Sequence, residues 1–393
     1  MAIAKPPEDQ IGLLQEEIDI IRSEPLSQWQ LVWRRFKKHR IGVVGAFVIS
    51  LLTFLVVFAD FLSPYHYGTH HRRYDFAPPT RIHLWDEKGN FSFPPFVYGI
   101  GIAKRDPITN RKIFTEDTNK KYPLCFICTG DSYRFLGLFE TKTHLFGTGE
   151  DPNSVGQIFL FGTDNFGRDL FSRTLFGGRI SMSIGPLVLL LSLFLAILFG
   201  GISGYYGGVV DLLLQRFIEI LQSFPGLPLL VALAYVVNKL NLSPIMIFFG
   251  VVLILSLLGW GGLARVLRGL FLSLREQEFT QAARAMGASD LRIIFRHLLP
   301  NTITVVIVTS TLTIPGLIIT EAALSFLGLG ISEPMTSWGQ LLNILQEQNV
   351  VNIFRFYPWL MIPGFFIIAA VLAFNFLGDA LRDAFDPFSQ QGR

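Results

Sequence analysis

Six stretches of the chain run for 19 to 31 residues without a charged side chain: Ile41–Ala59, Ile180–Val210, Ile220–Asn238, Leu240–Ala264, His297–Thr320 and Phe356–Gly378. Each meets the roughly 20 apolar residues that a helix needs to cross a bilayer. Trimmed at turn residues, the predicted helices cover about 41–62, 180–203, 212–238, 243–264, 302–325 and 358–378. The first follows 40 largely polar residues and has no small-residue cleavage site, so it reads as a span and not as a signal peptide. The pattern predicts an all-α polytopic membrane protein.

Polar stretches carry their own patterns. Ile11, Leu14, Ile18 and Ile21 recur at helical spacing within 8–22, predicting an amphipathic helix that lies on the membrane or on a partner subunit. Residues 63–179 mix aromatics with Pro and Gly, as in Phe93-Pro94-Pro95-Phe96-Val97-Tyr98-Gly99. With Asp86-Glu87-Lys88-Gly89-Asn90 as a turn, this segment reads as a small β-rich insert.

Composition sharpens the division. Of 393 residues, 50% are hydrophobic and 16% charged, with a mean hydropathy of +0.44. The insert alone holds 27 of the 63 charged residues. This excludes a disordered chain, a disulfide scaffold and an ordinary cytosolic enzyme. Basic residues flank one side of the spans: Arg34, Arg35, Lys37, Lys38 and Arg40 before the first, and Arg265, Arg268, Arg275, Arg284, Arg292 and Arg296 between the fourth and fifth. The positive-inside rule puts 1–40, 265–300 and the C-terminus in the cytoplasm and 63–179 outside.

The 265–300 loop carries the most information. A helix from Glu278 to Ala285 is followed by Gly287-Ala288-Ser289, with glycine available for a left-handed turn. Ser289 is placed to cap a second helix, Asp290–Leu299, which Pro300 closes at the membrane. Such a hairpin is shaped to dock into a groove on a cytoplasmic protein; the alternative is a solvated loop.

Gln281-Ala282-Ala283-Arg284-Ala285-Met286-Gly287, followed by Arg296-His297-Leu298-Leu299-Pro300-Asn301, resembles the EAA loop of ABC importer permeases, with Gln281 where the family has Glu. Gly162-Thr163-Asp164-Asn165-Phe166-Gly167-Arg168-Asp169, Gly204-Tyr205-Tyr206-Gly207-Gly208, Ser325-Phe326-Leu327-Gly328-Leu329-Gly330, Ser337-Trp338-Gly339, Asn375-Phe376-Leu377-Gly378-Asp379 and Arg382-Asp383-Ala384-Phe385-Asp386-Pro387 are similar to the dipeptide/oligopeptide branch. The likeness covers about 27–64 and 160–388, with 65–160 longer than the family pattern leads one to expect.

The resemblance implies a type I importer permease fold in the inner membrane, translocating di- or oligopeptides by alternating access; nickel or another small solute is the runner-up. It implies a second permease subunit, two ATP-binding subunits that hold ATP and Mg, and an extracytoplasmic substrate-binding protein, with no nucleic acid, metal or cofactor on this chain. Glu278, Gln281, Ala282, Ala283, Gly287, Asp290, His297 and Pro300 would couple to the ATPase. The sequence agrees on one point: it has no Gly-Lys dipeptide and hence no phosphate-cradling loop.

Asp164, Gly167, Arg168 and Asp169 read as a structural turn ahead of a helix whose Leu170, Phe171, Leu175 and Phe176 lie in the outer interface. Glu321, about 27 Å along its span, is placed at the outer mouth as a polar gate. Two other classes remain: a proton-coupled transporter using Glu321 or Asp60, and an intramembrane protease using Ser203 and His297. Cys125 and Cys128 flank a strand-like Phe-Ile pair, which bridges poorly; structural cysteines or a labile disulfide are the two readings, and the pair lacks the further ligands zinc needs.

Overall fold

A computed structural model describes residues 27–107, 111–135, 137–148, 156–240, 242–347 and 350–386. The predicted amphipathic helix at 8–22 and Pro387 lie outside them. The described residues begin with α1 (Gln28–Lys38) and α2 (Arg40–Val57), extended by a helical turn at Ala59–Leu62. The insert then forms β1 (His83–Trp85), β2 (Phe91–Arg105), β3 (Lys112–Pro123), β4 (Cys125–Phe135) and β5 (Phe139–Gly147). Its antiparallel sheets are β1-β2-β3 and β4-β5, and the predicted 86–90 turn joins β1 to β2 with Gly89 at φ 79°.

The helical part consists of α3 (Leu170–Tyr206), α4 (Gly208–Ser223), α5 (Gly226–Lys239), α6 (Pro244–Leu274), α7 (Glu278–Ala285), α8 (Asp290–Phe326), α9 (Trp338–Leu342) and α10 (Ile362–Phe385). Among the described residues, five helices are long and apolar enough to cross a membrane, or six if α4 and α5 together make one span. The third predicted span is therefore not one helix. Its halves meet at 78°, because Pro225 has no N–H and drives Phe224 into an extended conformation (φ −75°, ψ 139°).

Two boundaries also differ from the sequence reading. The segment expected to lie in the interface is instead the first turns of the 37-residue α3. Leu170, Arg173, Thr174 and Leu175 are buried there, so its apolar face meets protein. Pro300 does not end its helix either. The chain passes through a π-helical stretch, Ile293–Leu298, into the span, and the wider turn accommodates a proline that can neither donate nor tolerate the carbonyl four residues back.

The bundle is built on α3. Ideal Cβ atoms at Gly200 and Gly204 would lie 2.4 and 2.7 Å from the Ala264 and Arg268 carbonyl oxygens of α6, so only glycine permits this approach. Ser192 Oγ donates to the Ser256 carbonyl (3.3 Å) and Ser256 Oγ to that of Val188 (3.2 Å) across the same seam. Around it cluster Ala196, Tyr205, Trp260, Ala264, Leu267 and Phe271. On the far side α2 packs on α10, where Gly45 faces the Ala373 carbonyl.

Cys125 and Cys128 form a disulfide, Cα atoms 5.8 Å apart. A regular strand would point the two side chains to opposite faces, but Ile127 takes φ 58°, which turns them together.

The seam yields a paired test. Gly200→Leu should cost about 1–3 kcal/mol by overpacking, seen as a lower midpoint of thermal unfolding in detergent. Gly262→Ala, on the open face of α6 with no atom within 4 Å, should leave the midpoint unchanged.

Candidate functional site

The two ends of α3, some 55 Å apart at 1.5 Å per residue, each hold a polar constellation. At its start Asp164 is the organising residue. Its Oδ1 accepts from the backbone N–H groups of Phe166 (2.8 Å) and Arg168 (2.9 Å), and its Oδ2 from Arg168 Nε (2.7 Å) and Arg173 Nη1. Gly167 makes the turn at φ 69°, and a side chain there would strike the His71 carbonyl. Glu333 closes the cluster, 2.8 Å from Arg168 and 3.4 Å from Arg173. Burial pushes the Glu333 carboxyl up, but Arg168 outweighs it and holds the group below the ordinary carboxylate range.

Asp169 caps α3, its Oδ2 accepting from Ser172 N (2.8 Å) and Oγ (2.6 Å). Its Oδ1 is buried with no hydrogen-bond partner among the described residues. Burial pushes its pKa up to about 7, against the partial relief of the Ser172 bonds. The cluster unites the four motif residues expected here with two that the sequence did not single out. Arg173 was one helical turn beyond the motif, and Glu333 reaches it from 160 residues away.

At the other end, Tyr205 Oη donates to Asp290 Oδ1 (2.7 Å) and Tyr206 Oη to Oδ2 (3.1 Å), pinning the 278–300 hairpin to α3. Arg275 Nη1 reaches the Tyr205 carbonyl (3.1 Å) and Gln281 Nε2 the Arg275 carbonyl (3.1 Å). Within the hairpin, Gly287 N–H donates to Arg284 O and Ala288 N–H to Ala283 O, the paired bonds of a Schellman turn. Gly287 sits at φ 80° with open space around it. Ala283 packs inward, while Glu278, Gln281, Ala282, Asp290 and Pro300 are exposed and His297 half-buried. Ser289 makes no side-chain cap. Beside them Met286 (81%), Leu291 (68%) and Phe295 (57%) project into solvent, an apolar surface that residue-type reading of the loop overlooked.

Glu321 is not at an open mouth. It is fully buried, accepting from Ser181 (3.2 Å) and Ser325 (2.8 Å), and Ser181 in turn accepts from Trp338 N–H (3.0 Å). It knots α3, α8 and the start of α9. Asp60 is ion-paired with Arg179 (2.6 Å). Ser203 Oγ donates to Asp211, which also holds Arg268, so it is not paired with His297 as a protease would require.

The sequence model of the family described as "Binding-protein-dependent transport system inner membrane component" matches residues 196–390. That of the "N-terminal TM domain of oligopeptide transport permease C" matches 27–79. The chain is 45% identical over 237 residues to the oligopeptide transport system permease protein OppC of Haemophilus influenzae, covering 60% of this chain and 72% of that one. It is 31% identical over 385 residues to the dipeptide transport system permease protein DppC of Bacillus subtilis, covering 97% and 93%. The second match spans the insert as well, so the length of 65–160 does not set this chain apart from that relative.

The Asp169 carboxyl predicts a pH slope. The folded chain keeps a proton that an unfolded aspartate, with its pKa near 3.8, has lost. Stability should therefore fall as pH rises from about 4 to about 7. Asp169→Asn, which keeps the cap, should flatten that part of the unfolding-midpoint profile. Parallel profiles would mean the group is ionised in the fold.

Proposed function

Since the chain belongs to the family of binding-protein-dependent transport system inner membrane components, we propose that it is the membrane-embedded subunit of an ATP-driven importer of di- or oligopeptides. The observation that carries this reading is the near-complete coverage by permeases named for those solutes. Lack of a phosphate loop assigns ATP and Mg to separate subunits, two of them in our reading, beside a second permease subunit and a substrate-binding protein. The basic flanks put both termini and the 278–300 hairpin in the cytoplasm, and the β insert outside.

The hairpin supplies a mechanism. Met286, Leu291 and Phe295 offer the apolar surface for a groove on the ATPase, and Glu278, Gln281 and Ala282 flank it. Closure of the ATPase pair displaces the hairpin, and two linkages carry the movement inward. One is α8, which runs from the hairpin through the π-helical stretch into the membrane. The other is Asp290, held by the two tyrosines that end α3. Rocking of these two helices alternates access to a central cavity shared with the second permease subunit.

Two experiments test this. A cysteine placed at Ser289 should react with an impermeant maleimide only from the cytoplasmic side, and one at Lys88 only from outside; the reverse labelling overturns the topology. Gly287→Val forces a β-branched residue to φ 80°, a strain on the order of 1–3 kcal/mol. In reconstituted vesicles the variant should assemble weakly or hydrolyse ATP without peptide uptake, whereas Arg292→Gln should do much less. Uptake at the wild-type rate by Gly287→Val would remove the hairpin from the mechanism.

A further inference from the structure

Where the insert meets the helical bundle, a cleft of about 570 Å³ opens between α2, α3 and α10. Thr53 and Val57 line it from α2, Met182, Ser183 and Pro186 from α3, and Phe374 from α10. Arg134, at the tip of the β4–β5 hairpin, and the Arg179–Asp60 pair stand at its rim. We propose that this cleft seats one phospholipid of the leaflet on the insert side, its phosphate at Arg134 and one acyl chain along the groove between α2 and α3.

Pro186 lies seven residues beyond Arg179, about 10 Å further along α3 at 1.5 Å per residue. The groove therefore runs from the headgroup level into the hydrocarbon, and apart from Thr53 and Ser183 its walls are apolar.

The roof commits the occupant to lipid. Leu138 and Phe139 at the hairpin tip are 79% and 59% exposed. Phe135 lies against Phe58 (5.9 Å between ring centres) and Phe58 against Phe54 (4.6 Å), which is itself 52% exposed on the outer face of α2. The apolar tip is thus continuous with the surface that a membrane-spanning helix turns to the bilayer. A hairpin tip standing in water has no reason to carry adjacent leucine and phenylalanine, whereas one resting in the interface buries them.

The charges divide the roles at the rim. Arg179 is already engaged, with Nε on the Val56 carbonyl (3.0 Å) and Nη2 on the Val57 carbonyl (3.1 Å) and Asp60 (2.6 Å). Arg134 is exposed and makes no ion pair among the described residues, although Glu140 is its register partner across the hairpin. A guanidinium at that height presents the paired donors that suit a phosphate.

The inference needs the spans to cross a bilayer but does not depend on which solute is carried, so its test reads lipid contact and not uptake. The full-length chain with its partner subunits is reconstituted in vesicles of phosphatidylethanolamine and phosphatidylglycerol, doped with phosphatidylglycerol bearing a photoactivatable acyl chain. Crosslinks should concentrate on 182–186 over the exposed Leu190 and Phe194 of the same helix. Arg134→Gln should lower that yield by up to about five-fold, the order for losing one ion pair at an exposed site. Ser183→Trp, which fills the groove, should abolish it while the complex still assembles. Equal labelling of 182–186 and of Leu190 and Phe194 would overturn the proposal as ordinary surrounding lipid. So would a disulfide from Ser183→Cys to a cysteine in the second permease subunit, which would show that protein covers the cleft.

Discussion

The contact on which the rest of the molecule depends is the backbone approach of α3 to α6 at Gly200 and Gly204. Between helices in a bilayer there is no hydrophobic driving force, since lipid tails are as apolar as leucine. Association must come from close packing and a few hydrogen bonds, and this seam supplies both. Glycines bring the backbones together, and Ser192 and Ser256 cross-link them. Because α3 carries a polar constellation at each end, fixing it against α6 fixes both.

Those ends are built to different rules. At the insert side, Asp164, Arg168 and Arg173 are withdrawn from water, and every charge has a counter-charge in direct contact. Removing one partner from such a group leaves a buried charge uncompensated, so the cluster resists rearrangement. The other end is held by tyrosine hydroxyls on an exposed carboxylate, with no buried charge to be left uncompensated. The insert end of α3 is thus held by buried ion pairs and the hairpin end by hydrogen bonds to an exposed carboxylate.

Much of this was legible in the residues. The positions of the apolar runs, the turn at Gly287, the capping role of Asp169 and the β-rich nature of the insert all follow from local rules: hydrophobic length, a glycine where φ is positive, an acceptor at a helix start, turn residues between strands. The motif around Asp164 was legible as a turn, because its Asp-x-x-Gly-Arg-Asp spacing folds on itself. The break at Phe224-Pro225 was written there too. It was missed because a run of uncharged residues reads as one helix when length and hydrophobicity are allowed to outweigh a proline.

What the sequence by itself determined is which segments are apolar enough to enter a bilayer and where the glycine turns fall, since those depend on transfer free energies and on neighbouring backbone dihedrals. Tertiary structure alone decided that Glu333 completes the Asp164 cluster, that Glu321 is a buried knot and not a gate, and that Tyr205 and Tyr206 hold Asp290. Each of these joins residues 84 to 165 positions apart, or depends on which neighbours shut out water. A side chain's charge and size are fixed by its own identity. Its partner and its exposure are properties of the packed surface around it, and they exist only once the helices have come together.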